Sequence, residues 1–276
     1  MKREDETPDE KFSRLLTLLK EAKSAVLAFS GGVDSSFLLR AMKIAGMRFV
    51  AVTGYSETVS ESALRQAVSF AEREGAEHRI IPTGEMQNEI FLSNPPDRCF
   101  FCKQDLYGKL RDIAEAEACG VVFDGSNADD EHDYRPGRKA AAIAGVRSPL
   151  AECGLSKHDI RILSRNLGLE TWDRPASPCL ASRFPYGHRI TPELLKKVEG
   201  AEKFLNALGM ATVRVRAHGD VARIEMTEED MPRMLENGLR RRVAEALRAL
   251  GFSFVSLDLE GFRSGSMNRS LPRETR

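Results

Sequence analysis

Short apolar runs alternate with amphipathic stretches near the start of this chain, and no other feature limits its fold as much. "SAVLAFS" (24–30) leads into "GGVDSSFLLRAMKIAG", and "MRFVAVTGYS" leads into "VSESALRQAVSFAEREG". "AEHRIIPT" is followed by a break at "SNPPDRCFFC", then by helical spacing from about Lys103 to Cys119 that enters "GVVFDGSNADD". Strands that alternate with helices build an α/β fold, a parallel sheet covered by helices on both faces. Such sheets bind ligands beyond the carboxyl ends of their strands. The loops "SGGVDSS", "TGYS" and "DGSNADD" all follow strands.

After the proline-rich stretch 173–187 the texture changes. "TPELLKKVEGAEKFLNALG" opens with a threonine cap, has proline at the first helical position and stops at glycine. "ATVRVRAHGDVARIEM" alternates on either side of an "HGD" turn, which predicts a hairpin. "TEEDMPRMLENGLRRRVAEALRALG" has helical spacing, and "FSFVSLDLEGF" reads as a last strand. Two domains are therefore expected: 1–187, with the sheet and the cysteine loops, and 188–276, a smaller α+β domain for substrate or oligomerisation.

The formal net charge is +0 over 276 residues, of which 30% are charged. No basic excess is present to grip a phosphate backbone, which argues against a nucleic-acid partner. No apolar run approaches membrane-spanning length, and "MKREDETPDEKF" lacks the apolar core of a signal peptide. A cytoplasmic protein without a membrane partner is expected. The cysteines Cys99, Cys102, Cys119, Cys153 and Cys179 are too few and too irregular for a secreted disulfide framework. Cys119, at a helix end entering an apolar strand, is expected in the core, and Cys153 in a loop before a helix.

"AFSGGVDSSF" carries the most chemistry. Two glycines directly after a strand let the backbone bend until its N–H groups converge on an anion. Ser30, Ser35 and Ser36 add hydroxyls, and the helix beginning near Asp34 turns its positive end to the loop. Neither GxxxxGK[ST] nor GxGxxG is present. The string resembles the SGGxDS signature of the PP-loop ATP pyrophosphatases, which split ATP into AMP and pyrophosphate with Mg²⁺ and adenylate a carbonyl or carboxylate oxygen. The resemblance implies that Ser30, Gly31, Gly32, Asp34, Ser35 and Ser36 hold the pyrophosphate end and its metal. It also implies that Val52, Thr53 and Tyr55, with Gly125 to Asn127, face the adenosine. Asp129 and Asp130 then become candidates for metal or ribose contacts, or else belong to an acidic surface turn.

Cys99 and Cys102 in "DRCFFCKQDLYGKL" have the spacing at which two thiolates share a metal or cluster, or act as a redox dithiol. A third cysteine, Cys179 in "ASPCLASRFPYG", sits in a proline-bounded loop beside Ser182 and Arg183. Three thiolates would leave one iron of a cubane open to an extra ligand. "SGGVDSSFL", "NPPDRCFFCK", "DGSNADD", "RPASPCLASRFPYG", "VRVRAHGDVARIE" and "GFRSGSMN" together resemble the LarE-type sulfurtransferases, over nearly the whole chain. That family acts on pyridinium-3,5-biscarboxylic acid mononucleotide in synthesis of the nickel-pincer cofactor of lactate racemase.

The resemblance implies adenylation of a substrate carboxylate by ATP and its conversion to a thiocarboxylate. Members with the extra CxxC are held to carry a 4Fe–4S cluster, here on Cys99, Cys102 and Cys179, that delivers a sulfide. Members with the single cysteine give up its sulfur and keep dehydroalanine. By motif, Lys103 and Arg183 are the cations nearest the reacting thiolate. Arg214 and Arg216 share one strand face and match positions near the substrate, whose phosphate and carboxylates suit planar donors. Glu202 and Glu225 are raised as a carboxylate metal site at a subunit contact, but read by themselves as exposed acids. The family precedent implies a homo-oligomer, a hexamer, and leaves room for a sulfide-supplying protein. A PP-loop tRNA thiolase, an ATP-dependent amide synthetase and an ATP-sensing module remain the alternatives.

Overall fold

The computed structural model describes residues 6–132, 136–175, 177–210, 212–263, 265, 266 and 269. Ala176 of the proline-rich loop, Ser264, Met267 and Asn268 of the closing motif, residues 1–5 and the tail from 270 lie outside them. The chain forms two compact units, one of Met1–Glu85 with Cys99–Ser177, the other of Met86–Arg98 with Pro178–Arg276.

In chain order the elements are α1 (Pro8–Ala22), β1 (Ser24–Ala28), α2 (Val33–Ile44), β2 (Arg48–Tyr55), α3 (Glu61–Glu74), β3 (His78–Pro82) and α4 (Glu89–Leu92). Then follow α5 (Arg98–Ala116), β4 (Val122–Phe123), α6 (Pro136–Ile143), α7 (Pro149–Glu152) and α8 (Lys157–Asn166). The last part of the chain adds α9 (Pro192–Ala207), β5 (Val213–His218), β6 (Val221–Met226), α10 (Met231–Met234), α11 (Asn237–Ala249) and β7 (Phe254–Leu257).

The first unit is the expected α/β fold. Its sheet is parallel throughout, in the order β3-β2-β1-β4, with Val26 opposite both Val50 and Val122. Alternation along the strands divides the core between the two faces of the sheet. Ala25, Leu27 and Ala51 pack with Leu15 and Leu19 of α1, Phe37 and Leu38 of α2, Phe70 of α3 and Ile160 of α8. Val26, Val50 and Val52 pack with Leu106 and Leu110 of α5 and Ala140 of α6. Helices cover both faces, so the strands read as continuous apolar runs.

The spacing places the start of α5 near Lys103, but the helix begins at Arg98, whose N–H meets the Pro95 carbonyl at 3.0 Å. Pro95 and Pro96 cannot continue a helix, yet prolines directly before one are a start signal, and they shift the CxxC from the break into the helix.

The second unit holds a three-stranded sheet in the order β5-β6-β7, with β5 and β6 antiparallel about the Gly219 turn and β7 parallel to β6. The segment 86–98 belongs here because its backbone is tied to the residues after Cys179. Gly187 N–H donates to Asn94 O at 2.9 Å, and Ile190 N–H to Leu92 O at 2.8 Å.

Acid stability of the first unit depends on Glu74, buried at the end of α3. Burial works against its charge, but Arg40 and Lys43 outweigh that and hold its carboxyl below the usual 4.5. The stabilisation is therefore complete above the unfolded value and lost as pH falls through the folded one. Glu74→Gln should cost about 1–3 kcal/mol at neutral pH, with the gap to wild type closing as pH falls through the lowered folded value. Urea titrations across that range test it; a gap that persists in acid would refute the assignment.

Candidate functional site

The chain leaves β1 outward to β2 and β3, then returns to β4 on the other side, so the loops after β1 and β4 diverge. Parallel sheets bind ligands at such switch points, in the crevice beyond the carboxyl ends of the strands. In the loop after β1, Gly31 adopts φ 70°, and a Cβ there would lie 2.7 Å from the Ala67 Cα. Only glycine meets both demands. Gly32 is the N-cap of α2 and supplies no capping side chain, so the first N–H groups of the helix point back at the loop without one. Ser30 Oγ and Ser35 Oγ lie 3.1 Å apart, and Arg174 Nη1 donates to the Gly31 carbonyl at 3.1 Å. From the β4 side Gly125 comes so close that a Cβ would stand 3.0 Å from Ser35 N. Lys157 Nζ holds Asp34 Oδ2 at 2.6 Å, while Asp34 Oδ1 and Ser36 Oγ are buried without hydrogen-bond partners.

Asp124, at the end of β4, organises the second loop. Its carboxylate accepts from Tyr107 Oη, Ser126 N, Ser126 Oγ and Ser148 Oγ, at 3.0, 3.1, 3.0 and 2.7 Å. Burial, together with the Asp124 charge and hydrogen bond, pushes the Tyr107 phenol up, so it stays a donor. Asn127 is buried, its Oδ1 accepting from Asp129 N at 3.0 Å, and Asp129 Oδ2 accepts the first N–H of α8, from Lys157, at 2.8 Å. At the end of β2, Thr53 is buried and donates to Phe29 O at 2.8 Å, whereas Tyr55 is exposed. His78 Nε2 lies 2.8 Å from the same hydroxyl, and burial lowers its pKa, so the neutral ring can donate its N–H to Thr53.

In the second unit Cys179 is exposed at the head of a 3-10 turn formed by Leu180–Arg183. Two arginines hold that turn. Arg183, itself buried, forks onto Glu202 through Nε and Nη2 at 2.9 and 2.8 Å. Its Nη1 donates to Pro178 O, Cys179 O and Ser182 Oγ, at 2.9, 3.2 and 2.9 Å. Arg216 binds Glu225 through Nε and Nη2, at 3.0 and 2.6 Å, and gives Nη1 to Ser182 O at 2.9 Å. Glu202 also accepts Val215 N–H of β5 at 2.9 Å. Glu202 and Glu225 are thus buried anchors, not the exposed acids expected from the sequence. Arg214 lies over the Phe262 ring, and burial with the like charges of Arg183 and Arg216 lowers its pKa.

Cys99 and Cys102 stand one turn apart on α5, both partly buried, and none of the five cysteines is in a disulfide. Lys103 stretches along Gly137, where a Cβ would meet its Cγ at 3.0 Å, and its Nζ lies 5.8 Å from the Tyr107 ring centre. Within neither unit, among the described residues, do three His, Cys, Asp or Glu side chains gather as a metal site. Cys119 is in the core as expected; Cys153 caps the end of α7, and burial raises its thiol pKa.

No protein-family model matches the chain. It is 40% identical over 265 residues to the pyridinium-3,5-bisthiocarboxylic acid mononucleotide synthase of Lactiplantibacillus plantarum, covering 95% of each chain. The chain belongs to this synthase family. It is also 41% identical to an uncharacterized protein of Synechocystis, over 96% of this chain and 99% of that one, and 29% identical to one of Methanocaldococcus jannaschii, over 92% and 98%. In this member of the synthase family, sequence reading passed over Asp124, Lys157 and Arg174. Asp124 was legible as the residue opening "DGSN", whereas Lys157 and Arg174 reach the loop only through the fold.

Gly31→Ala should cost on the order of 2 kcal/mol or more, because strain and a backbone clash add. Gly46→Ala, with φ 69° and no atom within 4 Å, should cost only about 1 kcal/mol. Denaturant unfolding of the pair decides; equal losses would mean that Ala67 moves aside. Alkylation of the native protein by iodoacetamide, followed by peptide mapping, should modify Cys179 first and Cys153 last. Early loss of Cys153 would contradict the burial described here.

Proposed function

We propose that this chain is an ATP-dependent sulfurtransferase, a PP-loop enzyme that converts carboxylates of pyridinium-3,5-biscarboxylic acid mononucleotide to thiocarboxylates for the nickel-pincer cofactor. One observation carries the reading: an exposed thiol held by a buried arginine–carboxylate frame, in a chain 40% identical to a synthase of the bisthiocarboxylated product. The uncapped start of α2, with Gly31 and Gly32, suits the phosphates of ATP. The unpartnered Asp34 Oδ1 suits Mg²⁺, a hard cation that takes oxygen ligands. A substrate carboxylate oxygen attacks the α-phosphorus and pyrophosphate leaves, giving an acyl adenylate. A sulfur nucleophile then adds at the acyl carbon and AMP departs. Arg214 and Arg216, on one strand in a region of arginine excess, are the candidates for the substrate's oxyanions.

The donor set Cys99, Cys102 and Cys179 is soft and fits a 4Fe–4S cluster bound by three thiolates. Such a cluster, when bound, would supply the sulfide. The chain's own part is to present the three sulfurs, two on one turn of α5 and one on the turn fixed by Arg183. The exposure of Cys179 favours one second reading. Its thiolate itself attacks the acyl adenylate, AMP leaves, and the thioester loses the Cα proton as the Cβ–S bond breaks, leaving dehydroalanine and the thioacid. Either reading includes a cytoplasmic homo-oligomer; the first adds a protein that renews sulfide. Among the described residues no helix is long and apolar enough to cross a membrane.

The test is iron, sulfide and intact mass on anaerobically prepared protein, before and after turnover with Mg-ATP and the biscarboxylated mononucleotide. Iron and sulfide with an unchanged polypeptide mass and a thiocarboxylate product are the expected result. Loss of the elements of hydrogen sulfide at Cys179 would replace the cluster with the sacrificial route. Absence of both thiocarboxylate and pyrophosphate would overturn the function.

A further inference from the structure

Arg98 is a buried guanidinium of the second unit that pairs with no carboxylate among the described residues. Its side chain is only 6% exposed, and Nε and Nη1 are buried without hydrogen-bond partners. Its guanidinium lies over the Tyr186 ring, 5.1 Å from Cζ to centroid. Arginine cannot shed its proton to escape burial, so the charge stays and asks for an anion. A ring face is a weak substitute for a carboxylate or phosphate.

A second orphan lies against the same turn. Asn94 is fully buried with φ 56°, a strained value that the surrounding contacts hold. Its Nδ2 donates to Phe184 O and Pro185 O, at 3.4 and 2.8 Å, which leaves Oδ1 buried and without a donor. The turn 184–186 is therefore lined by one unmet cation and one unmet acceptor. A sugar phosphate answers both needs, with an oxyanion for Arg98 and a hydroxyl for Asn94. A ring carboxylate answers the first alone.

We propose that Arg98 and Asn94 form a subsite for an oxyanion of the substrate, with the ribose phosphate of the mononucleotide as the group that fits both. The assignment rests on the function proposed above for the identity of the ligand, but the need for an anion does not. Arg98 is then a binding residue, and Tyr186 keeps its guanidinium flat for a planar, two-pronged contact.

Calorimetric titration of the anaerobically prepared full chain with nicotinate mononucleotide, ribose 5-phosphate and pyridine-3,5-dicarboxylate tests this. Wild type should bind the two phosphates, and Arg98→Ala should weaken that binding about tenfold or more. Arg98→Lys, which keeps a cation and is the safer variant for folding, should recover part of the loss. Asn94→Asp, which brings a negative charge beside the phosphate, should weaken both. Dependence on Arg98 seen with the dicarboxylate alone would move the subsite to a ring carboxylate. Affinities unchanged in Arg98→Ala and Arg98→Lys, or no binding of any of the three ligands by wild type, would overturn the subsite. Thiocarboxylate formation run in parallel separates the two claims. Turnover of equal KM in wild type and Arg98→Ala sinks the subsite and leaves the function, whereas Arg98-dependent phosphate binding without turnover does the reverse.

Discussion

Two carboxylates with almost no exposure, Glu202 and Glu225, hold the second unit's chemistry in place. Glu202 takes Arg183, Glu225 takes Arg216 and Arg223, and Arg183 and Arg216 have N–H groups left over after the carboxylate is satisfied. Those surplus donors grip the backbone of the turn that carries Cys179, through Pro178 O, Cys179 O and Ser182 O. The turn itself has little to hold it, since a short 3-10 segment has poor hydrogen-bond geometry. Removing Glu202 would leave Arg183 buried and unpaired, and would also free Val215 N–H in β5, so a loss there reaches both the strand and the turn. The cysteine is thus displayed on a rigid frame, with its thiol exposed while its backbone is fixed.

A comparable economy operates in the first unit, with backbone rather than side chains. Gly31 and Gly125 allow two loops to approach helices more closely than any side chain would permit, one against Ala67 of α3 and one against Ser35 of α2. Asp124 ties the β4 loop to α5 through Tyr107 and to the start of α7 through Ser148. Lys157, from the first turn of α8, reaches Asp34 with its side chain and Asp129 with its N–H. The crevice is therefore set by residues spread over α2, α5, α8 and two strand ends.

The period of the apolar residues made the strands and helices of the sheet legible, and the "HGD" turn made the hairpin so. Motif spacing singled out Gly31, Gly125 and Cys179; in the structure Gly31 has φ 70°, Gly125 stands close against Ser35 and Cys179 is exposed. What stayed hidden depended on partners far away in sequence. Glu225 lies between Ile224 and Met226, an acid inside an apolar run, and that local conflict was the available sign that it is buried. Glu202 gave no such sign, because a helix with one acid on its buried face looks like any amphipathic helix. The segment 86–98 follows β3 in the chain but pairs its backbone with residues near 187–190, an allegiance that no local pattern encodes. The early start of α5 was readable from Pro95 and Pro96, and the weight given to apolar spacing over proline obscured it.

Each unit departs at one place from a pairing that other parts of the chain make. Thr7, Ser60, Ser156 and Thr191 cap α1, α3, α8 and α9 with side-chain oxygens, yet α2 begins at a bare glycine with Ser30 only two residues away. Arg40, Arg183 and Arg216 are each matched to a carboxylate, yet Arg98 is buried with none among the described residues. A helix start without a cap and a guanidinium without an anion are the same deficit in different chemistry: donors prepared for negative charge that no described residue supplies. Such deficits reduce stability, and the chain elsewhere shows the residues that would remove them. Their persistence at a strand-end loop and beside the cysteine turn suits the anionic ligands proposed above, because a donor already satisfied by the chain's own side chains has less to offer a phosphate.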